Sequence, residues 1–177
     1  MVDIDKGCIT HFPTPVLSQR AKPVEKIDDN IKKLAEKMID IMLASGGIGL
    51  AAPQAGVNLR IFVVSPDGTK ENAKVYINPE IELSGPLEVN DEGCLSIPGV
   101  FAKIKRYKNC KIAATDLDGN TFTEEASGLL VRAFQHEYDH LEGIMIKDRM
   151  GQVARIAARK RLKQLQKDYE EKNKNSQ

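Results

Sequence analysis

Tryptophan is absent from the 177 residues, and aromatic side chains make up only 5% of them. That scarcity disfavours the aromatic platforms on which single-stranded nucleic acid stacks. An excess of either charge is lacking too, since 26 Lys+Arg face 25 Asp+Glu for a formal net charge of +1 and a pI near 7.7. With no global field, a protein that lives on nucleic acid or on anionic membrane is disfavoured. No apolar run approaches the roughly 20 residues of a membrane span. Nothing near the N-terminus resembles the apolar core of a signal peptide, so the expectation is a cytoplasmic protein with no membrane partner. Cysteine is scarce: Cys8, Cys94 and Cys110 are an odd number at no framework spacing, which points to a reducing compartment.

What is present, 41% hydrophobic and 29% charged residues, is the composition of one ordinary globular domain. A chain this long buries roughly 70% of its unfolded surface, so it needs no structural metal, and any metal is expected to be functional. Residues 1–26 carry Pro13, Pro15 and Pro23 and read as an ordered arm. Ile31, Leu34, Ala35, Met38, Ile39 and Met42 then follow helical periodicity, with Asp28 or Asp29 to cap the start and Gly46 or Gly47 the end. Five short runs have strand character: 60–65, 75–78, 101–107, 111–115 and 121–125. A second helix is expected over Gly128–Glu142 and a third from about Gln152 to 172, ahead of a polar tail at 173–177. The expected architecture is α+β, with the second helix packed on short antiparallel sheets. Residues 151–177 hold eight basic against three acidic residues, a net +5, which leaves −4 in residues 1–150.

Two of only three histidines stand four apart around a glutamate, in Gln135-His136-Glu137-Tyr138-Asp139-His140. On one helical face, residues i and i+4 are neighbours, so both imidazoles can bind one divalent metal while Glu137 serves as general base toward its water. A pair of ordinary histidines on a charged helix is the plainer alternative. A third ligand has to come from elsewhere, because no further histidine follows and His11 lies in the arm. Cys94 is the candidate, in Asp91-Glu92-Gly93-Cys94-Leu95-Ser96. A lone cysteine is more often a small buried hydrophobe, but Glu92 and Gly93 beside it weigh toward ligation. The closely spaced glycines of Gly46-Gly47-Ile48-Gly49-Leu50-Ala51-Ala52-Pro53-Gln54 let backbone approach a ligand, or simply end a helix. Without a following Gly-Lys-Ser/Thr they are no phosphate loop.

Taken together, the stretches Gly47–Gln54, Glu92–Ser96 and Gln135–His140 resemble, in this chain order, the three motifs of the peptide deformylases, and the likeness covers most of the chain. The resemblance implies a single catalytic domain of the deformylase α+β type, with the HExxH helix at its centre and a C-terminal helix. It implies a metal held by Cys94, His136 and His140, with water in the fourth position. Glu137 would be general base and then acid, and Gln54 with the Leu95 N–H would hold the oxyanion. The implied reaction removes the formyl group from formylmethionine at the start of newly made polypeptides, releasing formate. Ile48, Leu129 and Ala133 would wall the methionine pocket, and Ile48, Gly49 and Gly93 would pair with the peptide backbone. Glu92, paired with Arg106, would anchor the site from behind or else be an ordinary surface carboxylate, and Arg132 would either line the rim or face solvent. Fe(II) is the implied ion in the cell, replaceable by Zn(II), Ni(II) or Co(II). The basic final helix resembles one that bacterial relatives dock on ribosomal RNA. Two other classes stay open on the residues alone: a small zinc peptidase, and a non-catalytic module binding ribosomal RNA or nascent chains.

Overall fold

Asp28 sets the start of the first helix, its carboxylate accepting from the N–H groups of Asn30 (2.9 Å) and Ile31 (3.1 Å). The structure, a computed structural model, describes residues 8–174. Within it α1 spans Asp29–Ala44 and buries Ile31, Leu34, Ala35, Met38, Ile39 and Met42, the stripe expected from their spacing. Strands β1 (Gly49–Ala51), β2 (Ile61–Val64), β3 (Lys74–Gly93), β4 (Phe101–Thr115) and β5 (Thr121–Ser127) form one antiparallel sheet in chain order. Helix α2 (Gly128–Leu141) follows β5 directly, then come α3 (Ile146–Arg149) and α4 (Gln152–Lys174). The α+β architecture is as expected.

The core is layered by strand parity. Successive strand residues point to opposite faces, so Ile61 and Val63 of β2 pack with Leu34, Met38 and Met42 of α1, while Phe62 and Val64 pack with Val131, Phe134 and Leu141 of α2. Aromatic edges lock the second layer: Phe134 lies 6.0 Å from Phe62 and 5.0 Å from Tyr76 between ring centroids. A third cluster joins Cys94, Ile97, Val100 and Ile104 to Met145, Ile146 and Met150, and to Ala158 and Leu165 of α4. The final helix therefore covers the back of the Cys94 segment.

The strands are cut differently from the sequence signals. The runs at 101–107 and 111–115 are one strand, and the run at 75–78 is only the start of a 20-residue one. Pro79, Gly85 and Pro86 are poor strand residues, and the β3–β4 register slips at their positions, between Ile77 and Glu80 and again between Ser84 and Leu87. The bulges absorb the residues that cannot pair, so pairing with β4 continues past them. Strand β1 lies where the glycines read as a turn or ligand loop, and pairs antiparallel with β2. Helix α4 continues through 173 and 174, where a polar tail was expected, because no glycine or proline stops it and Lys172 and Lys174 suit a helix C-terminus. Residues 175–177 of that tail, and 1–7 of the arm, lie outside the described residues.

Phe134 is fully buried between the sheet and α2, so Phe134→Ala is expected to cost about 3–5 kcal/mol. Urea unfolding checks this: the midpoint falls with an unchanged slope, whereas a loss under 1 kcal/mol would mean that the layer re-closes around the gap.

Candidate active site

Helix α2 projects His136 and His140 one turn apart, their ring centroids 5.0 Å from each other. Cys94 enters from the turn after β3, with its Sγ 3.3 Å from His140 Nε2. The ligand atoms of Cys94, His136 and His140 all lie within 4.8 Å of one another. Burial alone would raise the Cys94 thiol, but His140 and His136 outweigh it and hold the thiol well below its ordinary value, as the thiolate that ligates metals. Burial pushes the Glu137 carboxyl up, and its Oε2 has no hydrogen-bond partner among the described residues, nor has His140 Nδ1. A soft thiolate, two imidazoles and a buried carboxylate with a spare oxygen fit a divalent transition metal whose coordination leaves a position open.

Gln54 sits on a 3₁₀ turn, Ala52–Ala55, that follows β1. Its Oε1 accepts from Ala51 N–H at 2.8 Å, which fixes the amide and leaves Nε2 aimed at Cys94 Sγ, 3.7 Å away. The arm braces this wall: Thr10 N–H donates to Gln54 O (2.7 Å) and Phe12 N–H to Ser96 O (2.9 Å). Glycine at 49 leaves room for Glu137, since a Cβ there would lie 2.5 Å from Glu137 Oε1 and displace the carboxylate.

Behind the histidines lies a buried ionic network. Glu92 takes Arg106 in a fork (3.1 and 3.0 Å), Arg132 Nη2 at 2.7 Å, and stands 3.3 Å from His136 Nδ1. A carboxylate on Nδ1 orients the ring and leaves Nε2 for a metal. Burial would raise the Glu92 pKa, but the bonds from His136 and Arg106 prevail and hold it at about 2. Arg106 also donates to Asp139 Oδ2 (2.6 Å), and Asp139 in turn receives Arg149 of α3.

A cavity of 530 Å³ gathers Ile48, Gly49, Gln54, Glu92, Gly93, Cys94, Leu95, Leu129, Ala133, His136 and Glu137 on its walls. His140 and Arg106 stand behind it, each nearly fully buried. Arg132 does not face solvent: it lines the cavity, and its head donates to Glu92 and to Ile104 O. The sequence reading missed Asp139 and Gln135, both inside the motif it singled out. Gln135 bonds both the N–H (3.0 Å) and the carbonyl (2.9 Å) of Tyr107, clamping α2 to β4. Their signal was available, since a helix face carrying two ligands needs polar anchors on its buried flank. The lip Pro98–Phe101 was also missed and carried no motif.

Because Glu92 sits at about 2 in the fold against an ordinary 4.5, the stability it supplies is complete above about pH 4.5 and is lost as pH falls toward 2. Glu92→Gln is expected to cost about 3 kcal/mol at pH 7, since it removes the charge that Arg106 and Arg132 share. Urea midpoints compared between pH 6 and 2.5 should converge; a gap independent of pH would exclude the carboxylate charge as what holds the network.

Residues 7–155 match the family model described as polypeptide deformylase. The chain is 43% identical over 166 residues to peptide deformylase 1B, chloroplastic, of Oryza sativa subsp. japonica, covering 92% of itself and 62% of that protein. Against the peptide deformylase of Thermotoga sp. (strain RQ2) it is 45% identical over 152 residues, covering 85% and 91%. It thus spans about three-fifths of the plant organellar relatives, at 62% and 61%, and nearly all of the bacterial one. Among solved structures, Arabidopsis thaliana peptide deformylase 1B in complex with an inhibitor superposes with a TM-score of 0.89 at 42% identity, covering 93% of each chain. A peptide deformylase from Plasmodium falciparum gives 0.88 at 39%, covering 92% of this chain and 96% of that one.

Proposed function

The chain belongs to the polypeptide deformylase family, and from that premise we propose that it removes the formyl group from N-terminal formylmethionine of newly synthesised polypeptides, releasing formate. One observation carries the reading: Cys94, His136 and His140 converge within 4.8 Å beside a buried Glu137, at a cavity whose wall includes the apolar Ile48, Leu95, Leu129 and Ala133.

Cys94, His136 and His140 would hold one divalent ion, which we assign as Fe(II) in the cell, with Zn(II), Ni(II) or Co(II) able to replace it. When bound, the metal supplies Lewis acidity and brings the pKa of a water toward neutrality. Glu137 does the proton work. Its raised pKa suits a group that takes a proton from the attacking water and passes it to the leaving amine. Gln54 Nε2, already turned toward Cys94, and the N–H of Leu95 donate to the oxygen where negative charge develops. Ile48, Leu129 and Ala133 receive the methionine side chain. Strand β1 stands at the sheet edge with Gly49 on the cavity wall, so the peptide backbone adds beside it and Gly93 as a further strand. Glu92 and Arg106 hold His136 in place for ligation.

We place the enzyme in a bacterial-type cytoplasm. Cys8, Cys94 and Cys110 are free, and a thiolate ligand is preserved in reducing surroundings. Among the described residues no helix is long and apolar enough to cross a membrane. The ribosome is the proposed partner of α4, whose Arg155, Arg159, Lys160, Lys163 and Lys167 are all exposed.

The decisive experiment follows formate release from a short formyl-Met peptide, with protein purified anaerobically with Fe(II) and an unformylated peptide as control. Wild type should release formate. Glu137→Ala should keep the metal and lose about a thousandfold in kcat, and Gln54→Ala about a hundredfold. No formate from a metal-loaded wild type would overturn the reading, and cleavage of the unformylated control would favour a peptidase. For α4, Lys160→Glu with Lys163→Glu should abolish co-sedimentation with ribosomes at low salt and leave turnover on the short peptide intact; unchanged co-sedimentation would remove the ribosome from this face.

A further inference from the structure

Strand parity gives β3 and β4 two faces with different duties. On β4 the even positions are buried, Ala102 and Ile104 in the cluster with Met145 and Leu165 and Arg106 against α2, so Phe101, Lys103, Lys105 and Tyr107 stand on the outer face. The register places Gly93 opposite Phe101, Asp91 opposite Lys103, Val89 opposite Lys105 and Leu87 opposite Tyr107. That outer face exposes large apolar side chains where a solvated sheet face would be mostly polar: Phe101 is 77% exposed, Leu87 55%, Val89 49% and Tyr107 40%. Charge interrupts the stripe at the Lys103–Asp91 pair, 3.3 Å apart, and at Lys105 opposite Val89.

One end of the stripe is the mouth of the cavity. Phe101 and Asp91 line it, and the Phe101 ring lies so close over Gly93 that a Cβ on Gly93 would meet it at 2.6 Å. From there the stripe runs to Tyr107, six residues of strand or about 20 Å. It is only two strands wide. Four side chains cannot supply the roughly 800 Å² per partner that a stable dimer buries, whereas an extended chain leaving the cavity needs a narrow track of this kind.

Resting on the deformylase reading, we infer that the outer face of β3 and β4, from Phe101 past Val89 to Leu87 and Tyr107, is a track for the substrate polypeptide beyond its first residues and favours apolar side chains there. The occupant is the continuation of the chain whose formyl end sits in the cavity. Its side chains alternate, and those turned to the sheet cover the exposed Phe101, Val89 and Leu87.

The test compares KM for a formyl-Met-Ala-Ser tripeptide and for two formyl octapeptides that share these three residues and differ only beyond them, one alternating valine and leucine with serine, the other serine and glycine throughout. Wild type should show a KM about fivefold lower for the apolar octapeptide than for the polar one, the worth of one or two half-covered side chains. Leu87→Ser with Val89→Ser should abolish that preference and leave kcat/KM on the tripeptide unchanged, and Phe101→Ser should abolish the preference as well. Equal KM values for the octapeptides on wild type, or a preference that survives the double variant, would overturn the track. Sedimentation of both proteins covers the other occupant: a dimer that Leu87→Ser with Val89→Ser dissolves, with octapeptide KM values unmoved, makes the face a self-interface and also overturns it. Absence of formate from the tripeptide on wild type would instead strike the deformylase reading itself.

Discussion

Arg106 reaches from β4 to two carboxylates at once, Glu92 at the end of β3 and Asp139 on α2, and the geometry of the site depends on that bridge. Buried charges are costly, and an ion pair in a protein interior gains little over apolar packing of the same volume. What such a network contributes here is position. Glu92 sets His136 through Nδ1, and Asp139, one residue before His140, is held by Arg106 and by Arg149 of α3. Both histidine-bearing turns of α2 are thereby referred to the sheet, and Gln135 adds two bonds to the backbone of Tyr107.

The same economy governs the opposite wall of the cavity. The carbonyl end of the Gln54 amide is spent on Ala51 N–H, so only its NH₂ is free to point at the thiolate. The arm holds the backbone of Gln54 and of Ser96 from outside, while α4 closes the core behind Cys94 through Ala158 and Leu165. The basic final helix is thus also part of the cover over Cys94.

Local pattern was a good guide wherever one element sufficed. The stripe of α1, its Asp28 cap and the helix bearing the HExxH motif are each written in a span of about a dozen residues, which is the range over which periodicity acts. Strand β3 was legible only in part, because Pro79 and Gly85-Pro86 oppose strand propensity and the partner β4 overrides them through bulges. Arg132 could be read two ways for a similar reason, since the carboxylate that claims it lies 40 residues earlier.

By itself, then, the sequence determined the three long helices, the α+β class and the kinds of donor offered to a metal, since residue type and short-range spacing need no partner to be read. Tertiary structure alone decided that Cys94 meets His140 across 46 residues, that Asp139 and Gln135 serve as anchors, and that exposed apolar side chains align from Phe101 to Tyr107. The reason is physical: each of these depends on strand register and on charges paired between distant segments, and neither exists until the chain has closed on itself.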